Sequence, residues 1–295
     1  MELGRKAIPG GKVATYIPEL GKADKNALGI ALVTTDGDVI EAGDTNTRFT
    51  IQSISKVISL AVALDHCGFD EVFAKAGMEP SGEAFNSIVE LDLTSNRPYN
   101  PMINSGAIAV ESLLLRDYSF EELMDFSRKL CLDPELHFNR EVYESEMKTC
   151  SRNRAIAYLL ESKGIIDTNV EEALMLYTKM CSMNVTAKTL ANLGMILAND
   201  GVDPNTGERF LSSRTTMIVK TIMLTCGMYD GSGQFAVEVG FPTKSGVGGG
   251  LLSVVDKKLG IGIYGPSLDE KGNCLAGGVM LKYISSELGL HIFHV

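Results

Sequence analysis

The spacing of apolar residues changes along the chain, and each change marks an element. Residues 28 to 43, LGIALVTTDGDVIEAG, place an apolar strand, an Asp36-Gly37 turn signal and a second short strand in succession, the pattern of a β-hairpin. After Phe49 and Thr50 the run VISLAVALDHCG is apolar nearly all round and closes at Gly68, which predicts a buried helix with a glycine stop and puts Ser53 at its N-terminus. From about 70 to 225 helical spacing dominates. SFEELMDFSRKL, NRAIAYLLESKG, VEEALMLYTKMCSMN and TAKTLANLGMILANDG each carry it with plausible caps. Strand character returns with QFAVEVGFP and with LLSVVDKKLGIGIYG, which turns around Asp256 to Lys258, and CLAGGVMLKYISSELGL closes as a helix.

Strands from both chain ends therefore flank a helical middle. The predicted fold class is α/β of the α+β type: an antiparallel sheet built from both ends and flanked by helices, with a largely helical middle lobe. No repeat period, low-complexity tract or long linker divides the chain. Residues 1–295 then form one domain, with a sheet lobe at approximately 1–68 and 226–295 and a helical lobe at approximately 69–225. The seam between lobes is the natural pocket.

Composition narrows the function classes. An apolar content of 45% with 22% charged residues is that of an ordinary globular protein. A formal net charge of −10 without a clustered basic stretch removes the electrostatic footprint of nucleic-acid binding. No apolar stretch has signal-peptide or membrane-span length, so no membrane association and cytoplasmic residence are expected. Cys67, Cys131, Cys150, Cys181, Cys226 and Cys274 are scattered without a C-x-x-C pair, and read as reduced core or near-surface thiols. His66, His137, His291 and His294 make no familiar ligand spacing. No metal and no cofactor are expected.

Candidate chemistry starts with Ser-x-x-Lys, which occurs at Ser53 and Lys56 in TIQSISKVISL and again at Ser145 and Lys148. Only the first sits where a strand-like segment meets an apolar helix; the second lies in the dense polar stretch NREVYESEMKTCSRNR, where Lys148 is expected in solvent. At a helix N-terminus, backbone N–H groups and the dipole favour negative charge developing at Ser53. Lys56, one turn into a buried helix, would have its pKa lowered by desolvation and could accept the serine proton. Taken alone, the pair reads more readily as a helix cap beside an outward-reaching lysine. PTKSGVGGG at 242 to 250 is either a simple glycine-rich turn or a strand edge whose N–H groups form an oxyanion hole.

Ser-x-x-Lys followed by Lys-Ser/Thr-Gly, in that chain order, is the pairing of serine β-lactamases and penicillin-binding proteins. The strings GKVATYIPEL, FTIQSISKV, YNPMINSGAI, SEMKTCSRNRAIAYLL, CSMNVT, CGMYDGSGQFA and PTKSGVGGG are more specific. They resemble those of the serine-dependent glutaminase family, in that family's order and over nearly all the chain. The resemblance implies a β-lactamase-like fold and hydrolysis of L-glutamine to L-glutamate and ammonia through a glutamyl-serine intermediate. By the same resemblance Ser53 is the nucleophile, Lys56 its base, and Tyr229 the hydroxyl that helps move protons between serine, lysine and leaving ammonia. Val247 matches the residue whose backbone N–H joins that of Ser53 at the oxyanion.

Asn104, Glu146, Asn153, Tyr177 and Tyr229 fall on positions resembling the family's amino-acid-binding residues, and Tyr16 is expected to line the same pocket. The chemistry agrees, since Glu146 offers a carboxylate to the α-ammonium and the two asparagines offer amides to both ends. L-Glutamine is the implied partner, and the resemblance also suggests a homo-oligomer, a dimer or a tetramer. Two alternatives remain open from the residues. Another acyl-serine hydrolase of the same fold is opposed by the absence of an evident Ser-Asp-Asn triplet in the middle region. A silent amino-acid-binding protein is opposed by the retention of both Ser53 and Lys56.

Overall fold

A computed structural model describes residues 1–81 and 96–294. Both hairpins form as their turn residues dictate. β1 (Gly29–Thr34) and β2 (Val39–Gly43) turn at Gly37, whose φ of 92° suits a residue without Cβ. β7 (Gly250–Val255) and β8 (Leu259–Tyr264) turn at Asp256 to Lys258. With β6 (Thr243–Gly246) these strands make one antiparallel sheet in the order β2-β1-β8-β7-β6. Gly29 stands opposite Tyr264 and Thr34 opposite Leu259, so the register joins the two ends of the chain directly.

The sheet is covered on both faces, which is why β7 and β8 read as continuous apolar runs. Leu251, Ile261, Ile263 and Ile30 face α1 (Glu2–Ala7) and α12 (Leu275–Leu288), where they meet Met280 and Leu281. Ala31, Val33, Leu252 and Val254 face the other way, into the core of Leu190, Leu193 and Leu197 on α9 (Ala187–Ala198). Gly260 and Gly262 allow the backbone of α9 to lie on β8. A Cβ at Gly262 would stand 1.8 Å from the Ala187 carbonyl oxygen, and one at Gly260 would stand 2.1 Å from the Met195 nitrogen.

The remaining helices surround α2 (Ser55–His66), in which every residue from Ser55 to Leu64 is buried. It packs against α4 (Asn104–Leu114) and α10 (Ser213–Cys226), and α3 (Phe69–Lys75) follows it. α4 in turn meets α7 (Ser151–Ser162) and α8 (Val170–Cys181). α5 (Phe120–Leu130) starts from a capping box of Ser119 and Glu122, and Asn139 caps α6 (Arg140–Thr149). The expected helices at 119–130, 153–164, 186–201 and 274–290 are present within a few residues.

Two expectations are corrected. QFAVEVGFP is not a strand: it begins in α11 (Ser232–Glu238), and sheet pairing starts only at Thr243. Its short apolar alternation fits either period. Burial of Ser232 and Val239, with Val237 79% exposed between them, is helical, and Gly240 at φ 75° ends the helix. The helix expected through Asn184 stops at Cys181, because Met183–Val185 becomes β5 in a small sheet with β3 (Phe49–Thr50) and β4 (His137–Phe138), ordered β3-β5-β4. Its partners lie more than 40 residues away in sequence, so local spacing carries no sign of it.

The glycine contacts give a stability test. Gly262→Ala drives a Cβ into helix backbone and should destabilise the fold by about 3 kcal/mol or more, above the usual overpacking cost because backbone cannot rotate away. Gly278 lies in α12 with open space at its Cβ position. Gly278→Ala should be neutral or stabilising by about 0.5–1 kcal/mol. Urea unfolding of both variants checks the contrast, and equal effects would overturn this account of the sheet–helix contact.

Candidate active site

α2 is preceded by a 3-10 turn, Gln52–Ile54, so Ser53 stands just upstream of the α-helix and Lys56 lies within its first turn. Backbone bonding from Ile51 N–H to the Met183 carbonyl (2.8 Å) ties the turn to β5, and the Ser55 hydroxyl donates to the Gln52 carbonyl at 2.8 Å. Gln52 takes a left-handed φ of 48°, strain that persists only because its surroundings hold it. Ser53 is 6% and Lys56 2% exposed. The lysine does not reach outward.

Lys56 Nζ donates to Ser53 Oγ at 3.1 Å and to Asn104 Oδ1 at 2.7 Å. Asn104, the first residue of α4, also accepts from the Tyr177 hydroxyl at 3.1 Å and donates its amide to Asn153 Oδ1 at 2.9 Å. Burial pushes the Lys56 pKa down to about 8, with the Glu146 carboxylate acting in the opposite sense. An amine with that pKa is neutral in an appreciable fraction near neutrality. Asn104 Oδ1 can then hold one of its N–H groups while its lone pair faces Ser53.

Glu146 comes from α6 and turns inward, whereas Lys148, the second Ser-x-x-Lys lysine, is on the exposed side of the same helix. Burial raises the Glu146 carboxyl to about 7, opposed by a hydrogen bond from the Gln52 side chain and by Lys56. Its Oε2 is buried without a hydrogen-bond partner. A buried acceptor left open in this way is suited to a donor that arrives with a ligand.

Tyr229 opens the 3-10 turn Tyr229–Gly231 after α10, at φ 55°. Burial raises its phenol pKa, and the neighbouring Ser53 and Ser245 hydroxyls act against that rise. Lys244 of β6, wholly buried, sits 4.5 Å from the Tyr229 ring centroid and donates to the carbonyls of Gly227 (3.2 Å) and Ser245 (2.6 Å). Its pKa falls well below the usual lysine range through burial and then through repulsion by Lys56.

The glycine-rich stretch is the bend from β6 into β7, and it lies on the backbone that leads into Ser53. A Cβ at Gly246 would be 2.8 Å from the Ile51 carbonyl oxygen, and one at Gly248 would be 2.4 Å from that of Thr50. Val247 lies between them, buried with Tyr229, Ile17 and Leu268. Tyr16 is at the rim. It is 54% exposed as a residue, yet its hydroxyl end is desolvated and its pKa is raised well above normal, first by burial and then by Tyr229 and Glu146.

Hydrogen bonds thus join Ser53, Lys56, Asn104, Asn153 and Tyr177; Tyr229 neighbours Ser53, and Glu146 neighbours Gln52. Val247 joins by packing and Tyr16 only at the edge. Sequence reasoning missed Gln52, Lys244 and Ser245 as site residues, although Lys244 and Ser245 stand in the Lys-Ser-Gly string that drew attention to the region. It also missed Cys181, whose Sγ lies 3.7 Å from the Ser55 hydroxyl. Burial pushes that thiol up to about 12, which leaves it protonated and inert.

Comparison with known proteins identifies the family and its fold. The glutaminase family model matches residues 11–293. A glutaminase of Fusobacterium nucleatum subsp. nucleatum is 56% identical, over 99% of this chain and 97% of that protein. Glutaminase 2 of Clostridium perfringens is 51% identical over the same shares. Among solved structures, the probable glutaminase YbaS superposes with a TM-score of 0.93 at 37% identity, over 100% of this chain and 99% of that one. The probable glutaminase from Bacillus subtilis complexed with 6-diazo-5-oxo-L-norleucine superposes with a TM-score of 0.90 at 40% identity, over 99% and 94%. With the family model spanning nearly the whole chain and relatives of more than half identity covering it end to end, the chain belongs to the glutaminase family.

Proposed function

We propose that this glutaminase hydrolyses L-glutamine to L-glutamate and ammonia by acyl transfer through Ser53. The observation that carries the reading is the buried Lys56 amine, 3.1 Å from Ser53 Oγ and with its pKa lowered to about 8. Neutral Lys56 takes the proton of Ser53 as Oγ attacks the side-chain amide carbon. The oxyanion is held by the backbone N–H groups of Ser53 and Val247, brought near each other by the contact of the β6–β7 bend with residues 50–52. Tyr229, whose phenol neighbours Ser53, delivers a proton to the leaving nitrogen, and ammonia departs. The glutamyl-Ser53 ester is then attacked by water, which loses a proton to the same Lys56–Tyr229 pair, and glutamate is released.

Substrate recognition falls to the open acceptor and the amides. Glu146 Oε2 takes the α-ammonium, Asn104 and Asn153 hold the amino-acid end, and Tyr177 and Tyr16 complete the pocket wall. The unit that does this is the whole chain, 1–295. Homo-oligomeric assembly and cytoplasmic residence belong to the same proposal and rest on the family resemblance. Sedimentation of the purified chain tests the first. Among the described residues no helix is long and apolar enough to cross a membrane.

Ser53→Ala should remove turnover while the protein stays folded, since losing one hydroxyl near a helix start costs about 1 kcal/mol. Lys56→Ala should be comparably inactive, and the double variant no worse than either single one, because the two groups act as a unit. Ammonia release with folded variants measures this; wild-type turnover by folded Ser53→Ala would sink the acyl-serine mechanism.

The pH dependence follows from two groups. Lys56 must be neutral, so kcat should rise with pH and level off above about 8. In the free enzyme Glu146 must also ionise, with its pKa at about 7, so log kcat/KM should climb with a slope approaching two below about pH 7 and near one from there to 8. A pH-independent kcat/KM from 6 to 8 would contradict both assignments.

Glu146→Gln should weaken glutamine binding by about 3 to 5 kcal/mol, the usual cost of breaking a buried charge pair. The same change should matter far less for an analogue lacking the α-amino group. A double cycle of variant against analogue isolates the interaction. Equal losses for both substrates would show that Glu146 serves the fold or the chemistry instead.

A further inference from the structure

The wall behind Lys56 holds an ionisable group that the reaction does not use. Ser59 lies three residues after Lys56 on α2, and Glu111 lies seven after Asn104 on α4, so each shares the face of the site residue on its own helix. The Ser59 hydroxyl donates to Glu111 Oε1 at 2.5 Å, and Oγ also stands 3.3 Å from the Ser55 carbonyl oxygen. Glu111 is 1% exposed, and its Oε2 is buried without a hydrogen-bond partner. The rest of this seam is apolar, with Ala63, Val110 and Leu114 in one core.

Apolar contacts are non-directional, so helices that meet only through them are set in register by side-chain shape alone, and a directional bond sharpens that register. Directional bonds fix register, which is the best-attested use of buried polar groups. α2 and α4 are joined across this seam by two such bonds, Lys56 to Asn104 and Ser59 to Glu111. The first must change during the reaction as Lys56 gains and loses a proton. The second touches no reacting group and stays in place.

We propose that Glu111, acting through Ser59, is a positioning residue that holds α2 against α4 and so fixes Lys56 Nζ relative to Ser53 and Asn104. The inference rests on the role assigned to Lys56. Burial raises the Glu111 carboxyl to about 7, opposed only by the Ser59 bond, with no compensating charged group acting on it. Its contribution to stability is therefore fully present below the ordinary carboxyl range and is lost as pH rises through about 7.

The test compares Glu111→Gln, Glu111→Leu and Ser59→Ala by steady-state glutamine hydrolysis from pH 6 to 9, with thermal unfolding from about pH 4 to 8, the range that brackets the Glu111 titration. Glu111→Gln keeps an acceptor for Ser59. It should retain kcat within about three-fold while its unfolding temperature falls less with pH than the wild type's up to about 7, Glu146 supplying the fall that remains. Glu111→Leu and Ser59→Ala should lose about ten-fold or more in kcat, more than any change in KM, because a misplacement of about 1 Å at a reacting group is that costly. They should also move the acidic limb of kcat, which reports Lys56. Folded Ser59→Ala enzyme with wild-type kcat and an unmoved limb overturns the proposal, and this variant decides alone if Glu111→Leu does not fold. Activity remaining in Lys56→Ala would overturn the assignment of Lys56 itself. An inactive Lys56→Ala beside fully active Glu111→Leu and Ser59→Ala would refute only the positioning role.

Discussion

The removal of the Lys56 amine from water is the constraint on which the site depends. An ammonium in bulk solvent holds its proton far above neutral pH; one closed between Ser53, Asn104 and the ring of Tyr177 does not. Burial destabilises the charged form, and the same burial raises the carboxyls of Glu146 and Glu111 and the phenol of Tyr229. For Lys56, Glu146 and Glu111, charged and neutral forms therefore lie close in free energy in a small volume. A second buried lysine, Lys244, adds repulsion. Each of these groups costs stability, as do the left-handed backbones of Gln52 and Tyr229.

What offsets that cost is the packing around it. α2 is buried along ten consecutive residues, and the sheet has apolar side chains on both faces. Glycine then sets the distances: Gly260 and Gly262 bring α9 onto β8, and Gly246 and Gly248 bring the β6–β7 bend onto the backbone ahead of Ser53. Phe49 stacks on Tyr264 at 4.3 Å between ring centroids, linking the small sheet that anchors the Ser53 turn to the large one. Ser53 is thereby held from two sides by elements that are themselves fixed by the core.

Much of this was legible in the chain. The turn residues at Asp36-Gly37 and Asp256 to Lys258 placed both hairpins, and three-residue spacing placed Ser53 beside Lys56. Where reading failed, the deciding contact was distant. QFAVEVGFP has a period too short to separate strand from helix, and Met183–Val185 became a strand only because Phe49–Thr50 and His137–Phe138 lie on either side of it. In SEMKTCSRN the polar composition reads as a solvated face, and for Lys148 it is. Glu146, two residues earlier, points inward.

Local sequence determined the elements, their turns and the spacing of the Ser-x-x-Lys pair, because backbone preference and apolar period act over a few residues. Tertiary structure alone decided that Lys56 is dry, that Asn104, Asn153 and Tyr177 converge on it from three other helices, and that Gln52 bends back to Glu146. Desolvation is the physical reason for the difference. The pKa of a lysine or glutamate depends on how much water and which charges surround it, and those are supplied by residues far away in the chain.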